Sequence, residues 1–415
     1  MILMPSRRVT DRLVNEPGGV WIDASANEFD FWLVAKLRTN LIREIDAGIA
    51  VDLRVWVVDT EGGRFAAFGL TVHDSAKPEM YYGACRLTEE IELLRELLTA
   101  GCAPIQFHNE TELPYLSGLV TFDATDAAAS VAALPTAPYP SGDDFRLRCT
   151  ALDIVKDSLA PNAQPDPRIC VSATLPLTIE NCERLNATVA GVGKFTVDDN
   201  DQGTELEKLT FLLLDRLFPF GVYHSPERDD RDGRREVCDV LAVSRTPRFE
   251  EEGLLVIQNK VATVDGVLRT PQRRARSIEK NIFKGLKQAI GAIRQLKDGV
   301  QVYQKGGQPI EVDPPEITET IPLLNLAERA NQVGHGIVLV SELHPDIDGG
   351  TIWTELAAAC RKTGWPYHIL DLMELHQMAL NANGDPAMLE NYLLERWKRT
   401  AAAQNALVRF RFIQP

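Results

Sequence analysis

The alternation of apolar and polar residues in the first third of the chain predicts a self-contained α+β domain at 1–134. An amphipathic stretch at 29–48 predicts a helix. Apolar residues alternate from Val51 to Val57, which predicts a strand, and the turn Thr60–Gly63 joins it to a second strand at 64–72. The remaining predicted elements are a helix at 87–98, strands around 105–108 and 118–122, and an Ala-rich helix ending at Leu134.

The next segment, 135–196, is predicted to be a linker and a bridging segment. The stretch LPTAPYPSGDDF (134–145) is rich in proline and has no periodicity, as is typical of a linker. The patches FRLRCTAL (145–152) and ICVSATL (169–175) have strand-like patterns, and IENCERLNATV (179–189) has a helical one. These elements belong either to the edge of the following domain or to a small bridge.

From residue 197 onward, helices and strands alternate, which predicts an α/β domain at 197–415 with a mixed central sheet flanked by helices. The predicted helices lie at 204–218, 277–296, 351–364 and 373–382. The predicted strands are VCDVLAV (237–243), LLVIQNKVA (254–262), HGIVLVSEL (335–343) and YHILDL (367–372).

Composition and charge narrow the classes of function. No apolar run approaches the roughly 20 residues that a membrane helix needs, and the N-terminus lacks the pattern of a secretory signal, so a cytoplasmic protein is expected. The seven scattered cysteines form no C-x-x-C pair, which favours free thiols. The net charge of −15 means that an enzyme acting on nucleic acid must concentrate its cations locally.

One pair of predicted strands carries residues suited to phosphodiester hydrolysis. Asp239 lies in the first strand, and Gln258 and Lys260 lie in the second. Residues i and i+2 of a strand share a face, so Gln258 and Lys260 are predicted to point the same way. Oxygen ligands suit Mg²⁺, and a nearby lysine orients a water molecule and stabilises developing negative charge. Upstream, Glu205 and Glu207 offer a further carboxylate at the start of a helix.

At these positions the chain resembles the PD-(D/E)xK superfamily of restriction-endonuclease-like proteins, and most closely its Mrr-like branch. Residues Gly203–Glu207 (GTELE) match the Gly-x-x-Phe-Glu element of that branch, with Leu206 in place of the aromatic residue. Asp239 matches the acidic residue of the strand, and Gln258 with Lys260 matches the Gln-x-Lys pair. The resemblance covers roughly residues 200–300 and does not include the N-terminal third.

The resemblance implies a restriction-endonuclease-like fold and a metal-dependent endonuclease. Glu207, Asp239 and Gln258 would hold Mg²⁺ or Mn²⁺, and Lys260 would orient the attacking water. The expected substrate is DNA in preference to RNA, and restriction or antiphage defence is an expected role by analogy with the family. The N-terminal domain is expected to recognise a target, sense a signal or bind a protein partner, and homo-oligomer formation remains open.

A basic segment follows the Gln-x-Lys strand and supplies the local positive charge. Its candidate nucleic-acid-binding residues are Arg273, Arg274, Arg276, Lys280 and Lys284. Apolar residues from Ile278 to Ile293 recur at helical spacing, which predicts that most of these cations lie on the other faces of one helix. Contacts with phosphate are the functional interpretation, and a solvated helix face is the alternative.

Structural interpretations compete with the catalytic ones. Glu207 fits a capping box with Thr204, and the Lys260 side chain fits a lysine that extends along apolar surface to reach solvent. Gln258 stands where many nucleases of this type have an acidic residue, so a noncatalytic module that binds nucleic acid or a protein partner is the second hypothesis. A subunit of a larger defence complex is the third. His224 is a candidate neighbour of the site.

Overall fold

A computed structural model of the chain describes residues 4–16, 18–24, 31–61, 63–73, 78–85, 87–135, 144–159, 164–189, 193–195, 202–218, 221–231, 233–243, 253–261, 271–305, 310, 326–332 and 334–409. The chain divides into two compact units, Met1–Val197 and Asp198–Pro415. Across the described ranges it is a mixed α/β protein with eleven helices, which confirms the α/β class predicted from the sequence. None of the helices in these ranges combines the length and apolar character needed to cross a bilayer.

The first unit is built around an eight-stranded sheet. Its helices are α1 (Arg7–Asn15), α2 (Thr39–Asp46), α3 (Thr88–Ala100), α4 (Ala124–Ala133) and α5 (Asp144–Ser158). Its strands are β1 (Gly19–Ala24), β2 (Phe31–Lys36), β3 (Val51–Thr60), β4 (Gly63–Val72), β5 (Glu79–Ala84), β6 (Cys102–His108), β7 (Pro114–Thr121), β8 (Ile169–Arg184), β9 (Ala187–Val189) and β10 (Gly193–Phe195). The first eight strands form the sheet in the order β1-β2-β6-β7-β8-β3-β4-β5, and β9 pairs with β10.

The long strand β8 joins the two halves of this sheet, because its first half pairs with β3 and its second half with β7. The bridging segment predicted from the sequence therefore contributes an interior strand of the first unit, and the helix predicted at 179–189 is wrong. The strand predicted at 145–152 lies in α5, which packs Ala151, Ile154 and Val155 against the β3–β4 hairpin. The predicted linker falls largely on 136–143, outside the described residues.

The β3–β4 hairpin is confirmed, with Thr60 opposite Gly63 at its turn. The helix predicted at 29–48 is only half correct, because Phe31–Lys36 forms β2 and the helix begins at Thr39. All six residues of β2 are buried, and the strand lies between β1 and β6. A short apolar run that is covered on both faces does not reveal from periodicity alone whether it is a strand or a helix.

The second unit contains the candidate site. Its helices are α6 (Gln202–Asp215), α7 (Pro271–Lys297), α8 (Leu326–Gln332), α9 (Gly349–Thr363), α10 (Leu372–Ala382) and α11 (Pro386–Ala403). Its strands are β11 (Val222–His224), β12 (Glu227–Asp230), β13 (Gly233–Glu236), β14 (Val240–Val243), β15 (Leu254–Lys260), β16 (Val302–Tyr303), β17 (Gly334–Val340) and β18 (Tyr367–Asp371). Helix α11 was not predicted from the sequence.

The main sheet of this unit is mixed and has the order β11-β14-β15-β17-β18. Strand β15 is central, antiparallel to β14 and parallel to β17. One face of β15 presents Leu254 and Val256 to the apolar side of α7, including Ile278 and Ile282. On the opposite face, Asn259 accepts a hydrogen bond from Thr210 of α6 at 2.8 Å. The central strand is therefore covered by helices on both faces.

A pair of buried histidines lies between β17 and β18. His335 Nδ1 and His368 Nε2 are 3.0 Å apart, so one ring donates an N–H hydrogen bond to the other. Burial lowers the pKa of His335 to about 4 and lowers that of His368 well below its ordinary value. Both rings are therefore neutral in the folded protein at pH values where free histidine takes up a proton.

We expect this pair to make the second unit sensitive to acid. The unfolded chain binds protons near pH 6.5 and the folded chain does not, so stability is retained above about pH 6.5 and falls between about pH 6.5 and pH 4. For His335 alone the free energy of unfolding should fall by about 3 kcal/mol between neutral pH and pH 4. Urea unfolding as a function of pH measures it. The variant H335N/H368N should lose less stability on acidification than wild type, and equal losses in the two proteins would contradict this expectation.

Candidate active site

The site is formed where β15 ends. The alternation that directs Leu254 and Val256 toward α7 also directs Gln258 and Lys260 to that face, while Asn259 points toward α6. Gln258 is 2% exposed. The Lys260 ammonium lies 3.5 Å from the Gln258 side-chain oxygen and donates to the backbone carbonyl of Asn259 at 2.7 Å. The shared face predicted for Gln258 and Lys260 is observed.

Asp239 reaches the same place from the neighbouring strand. It lies at a bend immediately before β14 rather than within the strand, and its backbone carbonyl accepts a hydrogen bond from the Ser225 N–H at 2.7 Å. Its Oδ2 accepts a hydrogen bond from the Asn259 N–H and lies 3.4 Å from Lys260 Nζ. The carboxylate is only 6% exposed. Two adjacent strands therefore bring a carboxylate, an amide oxygen and an ammonium group together.

Glu207 has a different environment. Its Oε2 lies 3.4 Å from His224 Nε2 of β11, and its side chain is 23% exposed. Because α6 begins at Gln202, Thr204 lies within the helix and does not cap it. This placement removes the capping-box interpretation of Glu207. The neighbouring Glu205 is the more buried acid of the two, and burial raises its pKa to about 8.

Sequence reasoning did not select Glu236, which lies at the end of β13. Much of this residue is exposed, but its carboxyl group interacts with that of Asp239. Partial burial of the carboxyl raises the pKa of Glu236, followed by the hydrogen bond with Asp239 and the negative charges of Asp239 and Glu207. The sequence signal that could have identified it is the spacing Glu236-x-x-Asp239, which places a second acidic residue three positions before Asp239.

The donor chemistry around Asp239 fits a hard divalent cation. Carboxylate and amide oxygens are ligands that Mg²⁺ accepts, and Mg²⁺ usually binds through one or two carboxylates while keeping several waters. The pKa of Glu236 is raised mainly by burial and further by the negative charges of Asp239 and Glu207. Within the described ranges no cluster of three or more His, Cys, Asp or Glu side chains is arranged to hold a metal ion. A site here would depend on Asp239, the Gln258 oxygen and at most one or two further carboxylates.

The predicted nucleic-acid-binding residues separate into two groups. Arg273, Arg276, Lys280 and Lys284 are exposed on α7. Arg274 is only 9% exposed and makes a bidentate ion pair with Glu342, directly after β17. Since its guanidinium group is occupied inside the protein, Arg274 is not part of the exposed cationic surface of α7.

Two further exposed cations on α7 extend the exposed group. Lys287 and Arg294 continue its spacing of three or four residues, interrupted only by Gly291. We call these six residues the α7 ridge: Arg273, Arg276, Lys280, Lys284, Lys287 and Arg294. At 1.5 Å per residue the ridge is about 30 Å long. It concentrates positive charge in a chain with a net charge of −15.

Comparison of the chain with protein-family models, with curated proteins and with solved structures gives no match.

Proposed function

We propose that the second unit is a metal-dependent nuclease of the PD-(D/E)xK type, with a restriction-endonuclease-like arrangement. The observation that carries the proposal is the convergence of Asp239, Gln258 and Lys260, with the Asp239 carboxylate 3.4 Å from the Lys260 ammonium. An aspartate at 9% side-chain exposure beside a lysine at 13% is costly to bury unless the two groups are paired or used in a reaction. Their pairing and their location at the end of two strands support a site for phosphodiester hydrolysis.

In this proposal Asp239 and the Gln258 oxygen hold Mg²⁺ or Mn²⁺, together with Glu236 or Glu207. The bound ion would supply positive charge to the scissile phosphate and lower the pKa of a water molecule. Lys260 would donate hydrogen bonds to the attacking water and to the developing charge on phosphate. The Asn259 N–H holds the Asp239 carboxylate in place through its Oδ2. His224, next to Glu207, would fix the orientation of that carboxylate.

The α7 ridge supports nucleic acid as the substrate. Lysine and arginine contacts with phosphate supply most sequence-independent affinity, and a row of cations on one helix face can follow a phosphate backbone. We propose DNA in preference to RNA, with restriction or antiphage defence as the role, on the basis of the resemblance. The first unit would recognise a target or bind a protein partner.

The direct test is incubation of the purified full-length chain with labelled single- and double-stranded DNA and RNA, with Mg²⁺, with Mn²⁺ and with EDTA. Cleavage that requires the divalent ion supports the proposal. A substrate that binds without being cut under every condition would instead favour the second candidate function below.

The ridge makes a quantitative prediction about the salt dependence of binding. Replacing Lys280 and Lys284 with glutamine should weaken duplex binding and reduce the slope of log affinity against log salt by about 2, because each lost phosphate contact contributes roughly 0.9. Fluorescence anisotropy without divalent ion, at several salt concentrations, measures this slope. The matched control is K362Q/K398Q, which removes two exposed lysines of α9 and α11. Equal slopes in the two double variants would exclude the ridge as the phosphate-binding surface.

A noncatalytic module that binds nucleic acid or a partner is the second candidate function. Gln258 favours it, because an amide oxygen brings no negative charge to a metal ion. Calorimetry with Mn²⁺ separates the two candidates. The nuclease proposal predicts a binding signal that D239N removes, whereas a noncatalytic module predicts no signal in either protein.

A further inference from the structure

Helix α7 approaches the sheet closely at Gly285. A Cβ atom at this position would lie 2.7 Å from Val338 Cγ1 of β17 and 3.1 Å from Lys260 Cγ, with Lys260 Cε at 3.5 Å. Both shorter distances are tighter than ordinary van der Waals contact. The absence of a side chain at Gly285 therefore lets the helix backbone lie directly against the stem of Lys260.

A second glycine in the same helix shows that this close approach is specific to Gly285. Gly291 has no atom within 4 Å of the corresponding Cβ position. Alanine is favoured over glycine inside a helix, and at Gly291 there is room for it. At Gly285 an alanine methyl group would collide with Val338 of β17 and with the candidate catalytic lysine. The close packing of α7 at this position therefore requires a residue without a side chain.

Contact with Gly285 restrains a side chain that is otherwise mobile by nature. Lysine has four rotatable side-chain bonds and loses much conformational entropy when it is held in one position. In this site the ammonium group is held by the Asn259 carbonyl at 2.7 Å and by Asp239 at 3.4 Å. The methylene stem rests on the α7 backbone at Gly285. The head and the stem of Lys260 are therefore fixed by different elements.

We propose that Gly285 is a positioning residue for Lys260: it sets the path of the lysine stem and hence the place of the ammonium group. This inference rests on the proposed nuclease function and adds a residue to it that makes no contact with substrate. The residue next to it, Lys284, belongs to the α7 ridge. The same turn of the helix would therefore present Lys284 to nucleic acid and pack against the stem of Lys260.

The test compares G285A with G291A in the full chain. G285A should displace the Lys260 stem and lower kcat, by about 100-fold where the displacement at the ammonium group reaches about 1 Å. It should leave KM and the affinity for DNA without divalent ion unchanged, because the ridge remains intact. G291A should keep the wild-type kcat. A purely structural defect would lower the fraction of active protein, so active-site titration and thermal unfolding accompany each measurement.

A second pair of variants separates the two contacts of the added methyl group. In V338A the closer of the two neighbours is removed, whereas the contact with Lys260 remains. If G285A/V338A has a kcat about 100-fold below that of V338A, the contact with the lysine is responsible. If V338A restores the kcat of G285A, crowding against β17 explains the loss and the positioning role is overturned.

A third comparison does not depend on activity. G285A should lower the Tm by less in the K260A background than in wild type, because K260A removes the Cγ that the new methyl group meets. Equal Tm shifts in both backgrounds overturn the contact. A wild-type chain that cuts none of the labelled substrates overturns the proposed function and the positioning role with it, whereas equal cleavage by wild type and G285A overturns the positioning role alone.

Discussion

The variant K260M is expected to cut nucleic acid about 1,000-fold more slowly than wild type in Mg²⁺ or Mn²⁺, which corresponds to about 4 kcal/mol of lost transition-state stabilisation. Methionine keeps an unbranched stem that fills much of the same space, and it removes the ammonium group near Asp239. The variant D239N keeps the shape of the carboxylate and an oxygen that accepts the Asn259 N–H, yet removes the negative charge. We expect an equally large loss from it.

Single-turnover cleavage assays at saturating divalent ion measure these losses. The matched control for K260M is K362M, since Lys362 is an exposed lysine of α9 far along the chain from the motif. Both site variants should bind DNA in EDTA about as well as wild type, because the α7 ridge is untouched. If K260M and D239N cut as fast as the control, the site assignment is wrong even if the chain proves to be a nuclease.

The second large effect is expected from R274M, which should destabilise the protein by about 3–5 kcal/mol. Arg274 and Glu342 form a buried bidentate ion pair, with side-chain exposures of 11% and 10%. Removing the guanidinium group leaves the Glu342 carboxylate buried without its partner. The neighbouring Arg273 is exposed, so R273M should change stability by less than about 0.5 kcal/mol.

Urea unfolding of R274M and R273M measures this difference in stability. The affinity for DNA should differ in the opposite direction. R273M should weaken binding, while the folded fraction of R274M should bind nearly as well as wild type. The double variant R274M/E342M should recover much of the lost stability, because both charges are then absent. If R274M is as stable as R273M and loses the same affinity, Arg274 contacts phosphate as the sequence first suggested.

The second unit was easier to predict from the sequence than the first. Six of the seven residues of β15 are buried, and this apolar run is well separated along the chain from the amphipathic pattern of α7, so each pattern identifies its own element. Strand β2 is an equally buried run, but only two residues separate it from α2, so the two patterns merge and predict a single helix. Strand β8 (Ile169–Arg184) has 16 residues and pairs with two different neighbours, and local spacing does not reveal such long-range partners.

The same distinction applies to the candidate site. The approach of Gln258 and Lys260 follows from the period of a strand, and the nearness of Asp239 follows from the pairing of β14 with β15. Glu236 was missed because it lies in β13, which belongs to a separate three-stranded sheet of the order β13-β12-β16. A bend in the chain brings it near Asp239. Arg274 and Arg273 are adjacent and chemically alike, and only the fold determines that one of them is turned inward toward Glu342.

The hydrogen bond from the Asn259 N–H to Asp239 means that the peptide unit joining Gln258 to Asn259 orients the carboxylate that precedes the neighbouring strand. The donor is the main chain, so any residue except proline at position 259 can retain this link. An inserted or deleted residue in β15, by contrast, would break this link. It would exchange the two faces of the strand, turning Lys260 toward α6 and moving the amide donor away from Asp239. The number of residues in β15 is therefore constrained more tightly than the identity of residue 259.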